Sequence, residues 1–400
     1  MPPIRVLVVD DSVVIRRLVT SILSGDPDIE VVGHAANGQI AMGKVESLSP
    51  DAITLDIEMP VMDGIATVRA LRRAGHRMPV IMFSTLTERG ATATLDALEA
   101  GASDYVAKPA NVGSVTQSLE QVRASLIPKI KALCGTRRRV SAPRPGAQVN
   151  GRMTPTTTSG PPVRPPAGRP PVLAARRGAD TAYRVLAVGC STGGPEALGT
   201  LLGALPASLG VPVVVVQHMP PVFTTQFAAR LDRLLPLTVV EATAGQVLRP
   251  GHVYIAPGDI HLKVVRTAAG DRVELDRGAP ENFCRPAVDV LFRSVVATYG
   301  RDVLAAVLTG MGQDGRRGAL DIVAAGGSVL AQDEATSVVW GMPGAVVNDG
   351  AAEEVLPIGL LGPALAQRLF RSGPSGPKVA TGTRDHVRSG LSSAATPTSR

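Results

Sequence analysis

Compact apolar runs alternate with amphipathic stretches in two parts of the chain, and a segment with no period lies between them. Residues 5–10, 31–35, 52–57, 80–84 and 104–107 read as strands. Between and after them, 12–24, 38–48, 64–73, 88–99 and 114–134 repeat apolar residues at helical spacing. Five βα units of this length predict a doubly wound parallel sheet. Alternation resumes over 181–371, with strands at 184–189, 212–217 and 303–309 and weaker ones at 238–241, 253–256, 263–265, 273–275 and 328–331. Helices fit near 195–204, 223–234, 286–299 and 315–325. The expectation is a second α/β domain with a parallel sheet and a β-hairpin inserted around 263–275.

Composition sharpens the boundaries. Residues 136–180 hold nine Pro, nine Arg and one Asp, which predicts an extended, disordered linker. Residues 372–400, rich in Ser, Thr, Gly and Pro, read as a disordered tail. The chain thus divides into a domain at 1–125, a helix end and linker at 126–182, a second domain at 183–371 and the tail. The formal net charge is +7, but the linker carries +8 and the tail +3, leaving −4 for everything else. A basic balance confined to flexible segments argues against nucleic-acid binding by a folded face. Three scattered cysteines, Cys134, Cys190 and Cys284, give neither a disulfide framework nor metal-ligand spacing. No run approaches the roughly 20 apolar residues of a spanning helix, and no signal peptide is evident. The expected address is cytoplasmic, without membrane insertion.

Chemistry gathers at the carboxyl ends of the predicted strands, where open α/β sheets bind ligands. In the first domain Asp10 and Asp11 end the first strand, Asp56 the third, Ser84 the fourth and Lys108 the fifth. Taken singly, the two N-terminal acids read as a helix cap and Lys108 as a solvated surface residue. Together, three mutually repelling carboxylates call for a cation, and all-oxygen ligation suits Mg²⁺. With the lysine and a hydroxyl beside them they make Asp56 a candidate phosphoryl acceptor.

In the second domain the strand ending at Val188 runs into Gly189-Cys190-Ser191-Thr192-Gly193-Gly194-Pro195. Small residues there allow a sharp turn that exposes a hydroxyl at a helix N-terminus, and the segment satisfies G-x-S-x-G. Glycine-rich turns of this kind also bind phosphates or simply turn. His218 follows Val213–Gln217, and Asp314 lies in a Gly-rich turn after Val303–Thr309. Each alone reads as structural. Three complementary groups at three strand ends read as a Ser–His–Asp triad. Its order, Ser, His, Asp, differs from the Ser, acid, His order of α/β-hydrolases, so the turn motif does not imply that fold. A dinucleotide-binding domain competes, but Ser191 stands where the middle glycine of G-x-G-x-x-G belongs and His218 where the acid does. A DNA-binding regulator also competes, but its output module would carry a recognition helix on a basic domain.

Residues 1–125 resemble a response-regulator receiver domain, through Val-Val-Asp10-Asp11-Ser, the segment Asp56–Gly64, Ser84-Thr85 and Lys108-Pro109. That resemblance implies a flavodoxin-like fold with a five-stranded parallel sheet and phosphorylation of Asp56 by a histidine kinase. It implies Mg²⁺ held by Asp10, Asp11, Asp56 and the carbonyl of Glu58. Ser84 and Tyr105 would be switch residues, and the Lys108–Pro109 bond would be cis. Residues 183–370 resemble the catalytic domain of the chemotaxis protein-glutamate methylesterases, a Rossmann-like doubly wound α/β domain. The matching blocks are Gly189–Pro195, Gln217–Pro220, Arg285–Phe292, Leu308–Gly315 and Gln332–Gly344. This second resemblance implies hydrolysis of γ-glutamyl methyl esters on methyl-accepting chemoreceptors and deamidation of receptor glutamines. Ser191 would be the nucleophile, His218 the base and Asp314 the orienting acid. Thr192 and Met311 would lie close by, with the Met311 amide as an oxyanion donor. No cofactor is expected for the esterase step.

Overall fold

The computed structural model describes residues 2–108, 115–141, 173–174 and 182–371. Its first domain runs β1 (Ile4–Val9), α1 (Val13–Ser24), β2 (Ile29–Ala35), α2 (Gly38–Leu48), β3 (Ala52–Asp56), α3 (Gly64–Arg73), β4 (Val80–Ser84), α4 (Glu88–Glu99), β5 (Asp104–Ala107) and α5 (Val115–Ser141). The five strands form one parallel sheet in the order β2-β1-β3-β4-β5. β3 and β4 are buried at every position, as expected of parallel strands covered by helices on both faces. Leu7, Ile53 and Leu55 pack on one side of the sheet; Val6, Val8, Ile81 and Phe83 pack on the other.

α5 continues six residues into the segment expected to be linker. Arg has good intrinsic helix propensity, and extending an existing helix costs far less than nucleating one. The remainder of the expected linker, apart from residues 173–174, lies outside the described residues, as do the tail and the Lys108–Pro109 bond.

The second domain continues with β6 (Val185–Cys190), α6 (Gly194–Gly203), β7 (Val213–Gln217), α7 (Phe223–Leu234), β8 (Thr238–Glu241), β9 (His252–Ile255), β10 (His261–Thr267), β11 (Gly270–Asp276), α8 (Val288–Tyr299), β12 (Val303–Val307), α9 (Arg316–Ala324), β13 (Ser328–Gln332), α10 (Gly341–Asn348), β14 (Glu354–Leu356) and α11 (Ile358–Arg371). Seven strands form a parallel sheet in the order β14-β13-β12-β6-β7-β9-β8, and β10 and β11 form the expected antiparallel hairpin. β6, β7, β12 and β13 are wholly buried. β14, α10 and α11 had no counterpart in the sequence reading. β14 is three residues long, and Pro343 and Pro363 interrupt the helical pattern of α10 and α11.

Strand order reverses at β6, whose neighbours are β12 on one side and β7 on the other. Such a reversal opens a crevice at the carboxyl edge. The two domains touch along this edge. α4 packs on α7, and Tyr105 at the end of the receiver sheet stacks on Phe223, the first residue of α7, with ring centroids 4.7 Å apart and planes 5° off parallel.

Candidate functional site

In the first domain the structure brings the expected groups together. Carboxylate oxygens of Asp10, Asp11 and Asp56 lie within 4.8 Å of one another. Lys108 Nζ bridges Asp56 Oδ1 at 2.8 Å and Asp10 Oδ2 at 3.1 Å. Burial raises the Asp56 carboxyl above the usual range; the Lys108 hydrogen bond opposes that shift and the Asp10 charge adds to it. Burial would lower Lys108, but the two carboxylates hold it above its usual value. This donor set fits a hard divalent cation: three clustered carboxylate oxygens, two of them on the buried residues Asp10 and Asp56. Ser84 is buried and its hydroxyl donates to Gly90 O of α4 at 3.2 Å. Tyr105 is buried against Phe223. The Glu58 side chain is exposed and pairs with Arg89 at 3.6 Å.

In the second domain Ser191 and His218 follow the paired residues Cys190 and Gln217 at the ends of adjacent strands. Asp314 follows β12, the neighbour of β6 on its other side. His218 Nε2 hydrogen-bonds Asp314 Oδ2 at 2.8 Å. The Asp314 carboxylate accepts four further hydrogen bonds: from the amides of Val288 (2.6 Å), Asp289 (3.1 Å) and Gly315 (3.0 Å), and from Asn282 Nδ2 (2.8 Å). Val288 and Asp289 open α8, whose N-cap, Ala287, offers no side-chain acceptor. Asp314 therefore caps that helix from another strand, and the helix N-terminus favours its negative charge.

Burial would raise Asp314, but the His218 hydrogen bond, the imidazolium charge and the two α8 amides hold it below the usual carboxylate range. Burial alone would lower His218; the Asp314 hydrogen bond, with a contribution from Cys284, pushes it up to about 10.

Asp314 occupies Nε2, so Nδ1 is the ring nitrogen left to serve a nucleophile. Cys284 Sγ lies 3.6 Å from Nδ1. Rotation of the Ser191 side chain would be what carries its hydroxyl toward Nδ1. Gly310 sits directly beneath: a Cβ on it would fall 2.9 Å from Ser191 Cβ, so only glycine permits this approach. Met311 follows Gly310 and packs with Val338 and Val339. Thr192 is 4% exposed and its hydroxyl leaves the catalytic domain altogether, donating to Asp104 Oδ2 of the receiver at 2.7 Å. Asp104 also pairs with Lys129 at 2.9 Å.

The cleft above His218 is walled by Tyr105, Ser125 and Lys129 on the receiver side and by His218, Phe283 and Cys284 on the other. Cys190 is fully buried and burial pushes its thiol up, which removes it as a nucleophile.

Sequence reasoning missed Asp104, Asn282, Cys284 and Asp289, and gave Gln217 no role. Asn282 links Asp314 to the buried Asp289, whose other oxygen accepts from the Gly318 amide at 2.7 Å. Gln217 and Asp289 lie inside quoted blocks, and Asn282 and Cys284 lie just ahead of one. Asp104 carried no signal, since its partner is 88 residues away.

Comparison with known proteins gives the family. Residues 186–365 match the CheB methylesterase family and residues 6–120 the response regulator receiver domain. A protein-glutamate methylesterase/protein-glutamine glutaminase of Nocardioides sp. is 63% identical over 375 residues, covering 94% of this chain and 98% of that one. A protein of the same name from Trichodesmium erythraeum is 47% identical over 373 residues, covering 92% of this chain and all of its own. The crystal structure of the Thermotoga maritima CheB methylesterase catalytic domain is 42% identical, covers 47% of this chain and 99% of that one, and has a TM-score of 0.46. A receiver domain followed by a methylesterase domain, with relatives alike over nearly their whole length, places this chain in the CheB methylesterase family.

Proposed function

We infer that the chain hydrolyses glutamate γ-methyl esters on methyl-accepting chemoreceptors, deamidates receptor glutamines by the same chemistry, and is activated by phosphorylation of Asp56. The observation that carries the chemistry is the Asp314–His218 pair beside the Ser191 turn, with Asp314 fixed by four further hydrogen bonds. In the proposed reaction Ser191 Oγ attacks the ester carbonyl while its proton passes to His218 Nδ1. The tetrahedral oxyanion is held by backbone amides at the turn, with Met311 as a donor. His218 returns the proton to the departing methoxide, methanol leaves, and water activated by His218 hydrolyses the acyl-enzyme. With a glutamine substrate the leaving group is ammonia. Asp314 keeps its charge and holds the imidazole through Nε2, so that Nδ1, which Cys284 contacts, is the nitrogen that serves Ser191.

In the receiver, a histidine kinase supplies the phosphoryl group to Asp56. Asp10, Asp11, Asp56 and the Glu58 carbonyl would hold Mg²⁺, whose charge offsets that of the carboxylates and the incoming phosphoryl oxygens. Lys108 pairs with the phosphoryl group, and Ser84 turns from Gly90 toward it. The unphosphorylated receiver forms one wall of the cleft above His218 and holds Thr192, next to the nucleophile, through Asp104. Phosphorylation would favour release of that contact, a shift of two states rather than an absolute gate. The whole acts inside the cytoplasm on receptor segments exposed there. Among the described residues no helix is long and apolar enough to cross a membrane.

Methanol release from methylated receptor, by the parent chain and by Ser191→Ala, tests the reading. Turnover in a folded Ser191→Ala protein would refute it.

A further inference from the structure

Gln217 closes β7 one residue before His218 and is 2% exposed. Its Nε2 donates to the Ser191 carbonyl at 3.0 Å and to the His218 carbonyl at 3.1 Å. One side chain therefore ties the backbone of the nucleophile turn to the backbone that carries the base. The Ser191 carbonyl also accepts from the Gly194 amide at 2.7 Å, which closes the turn.

The other end of the amide is unusual. Gln217 Oε1 is buried and accepts no hydrogen bond among the described residues. A buried acceptor left bare costs about 1–3 kcal/mol. Turning the amide over would not relieve this, because its oxygen would then face two carbonyl oxygens. The orientation is thus fixed by Ser191 and His218. Oε1 lies against Gly194, the first residue of α6, where a Cβ would fall only 2.0 Å away. Gly194 is not in the left-handed region, so backbone conformation does not demand glycine. The amide does.

We propose that Gln217 is a positioning residue that sets the separation of Ser191 from His218, and that Gly194 is glycine so that this amide can seat. The proposal rests on the assignment of Ser191 and His218 made above. It goes further in giving a buried amide, bare only at its oxygen, a part in the reaction without contact to substrate.

Two variants reach the same amide by different routes. Gln217→Met keeps the length and apolar bulk and removes both donors. Gly194→Ala leaves Gln217 in place and pushes Oε1 aside, while alanine gains up to about 1 kcal/mol over glycine in helix propensity. The full chain is assayed for methanol release from methylated receptor with saturating phosphodonor and Mg²⁺, and thermal unfolding is followed in parallel. A misplacement of about 1 Å between reacting groups costs on the order of 10²-fold, so both variants are expected to lose about 10- to 100-fold in kcat. KM should stay within about twofold, and the unfolding midpoint of Gly194→Ala should hold. The double variant should be no slower than the slower single, since both remove one interaction. Parental kcat in both variants overturns the proposal, as does a loss in KM alone or additive losses in the double variant. Ser191→Ala is assayed beside them. Its full loss of turnover, with both variants at parental kcat, refutes the Gln217 role alone; turnover by Ser191→Ala refutes the underlying assignment instead.

Discussion

The hydrogen bond between Thr192 and Asp104 links the domains at the most sensitive place, one residue from the nucleophile. Replacing Asp104 with alanine removes it without touching the catalytic domain. Both partners are buried, at 4% and 5% exposed, and the contact is 2.7 Å long. A hydrogen bond to a charged group contributes about 1.5–3 kcal/mol, and each 1.36 kcal/mol is tenfold in an equilibrium. The closed arrangement should therefore lose roughly 10- to 150-fold of its advantage. Basal methanol release by unphosphorylated Asp104→Ala should rise at least about tenfold, or to the phosphorylated plateau if that comes first. The ratio of stimulated to basal rate should shrink by the same factor. A folded Asp104→Ala protein with parental basal rate and full stimulation would refute the view that this contact holds the enzyme closed.

His218→Ala and Asp314→Ala should each lower kcat by about 10⁴-fold or more while the protein stays folded by circular dichroism, and Cys190→Ala should retain activity. Asp56→Asn should keep basal turnover yet show no rise with a phosphodonor and Mg²⁺, measured as methanol release and as phosphoryl incorporation. The raised His218, at about 10 against an ordinary 6.5, has two consequences. The attacking base is the neutral imidazole, so kcat of the phosphorylated protein should climb with pH above neutrality, and Asp314→Asn should move that limb to lower pH. The same pair stabilises the fold fully below about pH 6.5 and loses that contribution as pH rises through about 10. Unfolding midpoints should fall across that window, less so in Asp314→Asn.

What the chain spells out locally was legible. Wholly buried strands such as 80–84 and 213–217 are continuous apolar runs, and the groups that follow them land at carboxyl edges because parallel strands all point one way. That placed Asp10, Asp56, Lys108, Ser191, His218 and Asp314 before any coordinates. The parts that escaped depend on distance along the chain. Asn282 and Asp289 matter because α8 starts beneath Asp314, a packing fact without a sequence period. Asp104 looked like the first residue of a strand, and only docking of the receiver gives it Thr192. β14 was too short, and α10 and α11 too interrupted by proline, to show a pattern.

In the proposed reading, inhibition by the receiver would be more than a covering of the cleft. If occlusion alone were at work, the contacts would lie around the rim, as those of Arg230 with Asp96 and Glu99 do, where exposed ion pairs contribute little. The buried contacts lie further in. The Tyr105 ring stacks flat on Phe223 at the start of α7, which follows the His218 loop. Asp104, its neighbour on β5, grips Thr192 in the nucleophile turn. Two consecutive receiver residues thus engage the two segments that carry base and nucleophile, and the first of those segments is the one Gln217 ties to the second. A shift of Tyr105 toward the phosphorylation site would act on both together. In the proposed reading, release of the receiver would uncover the cleft and, in the same movement, free the Ser191 turn to align with His218 Nδ1.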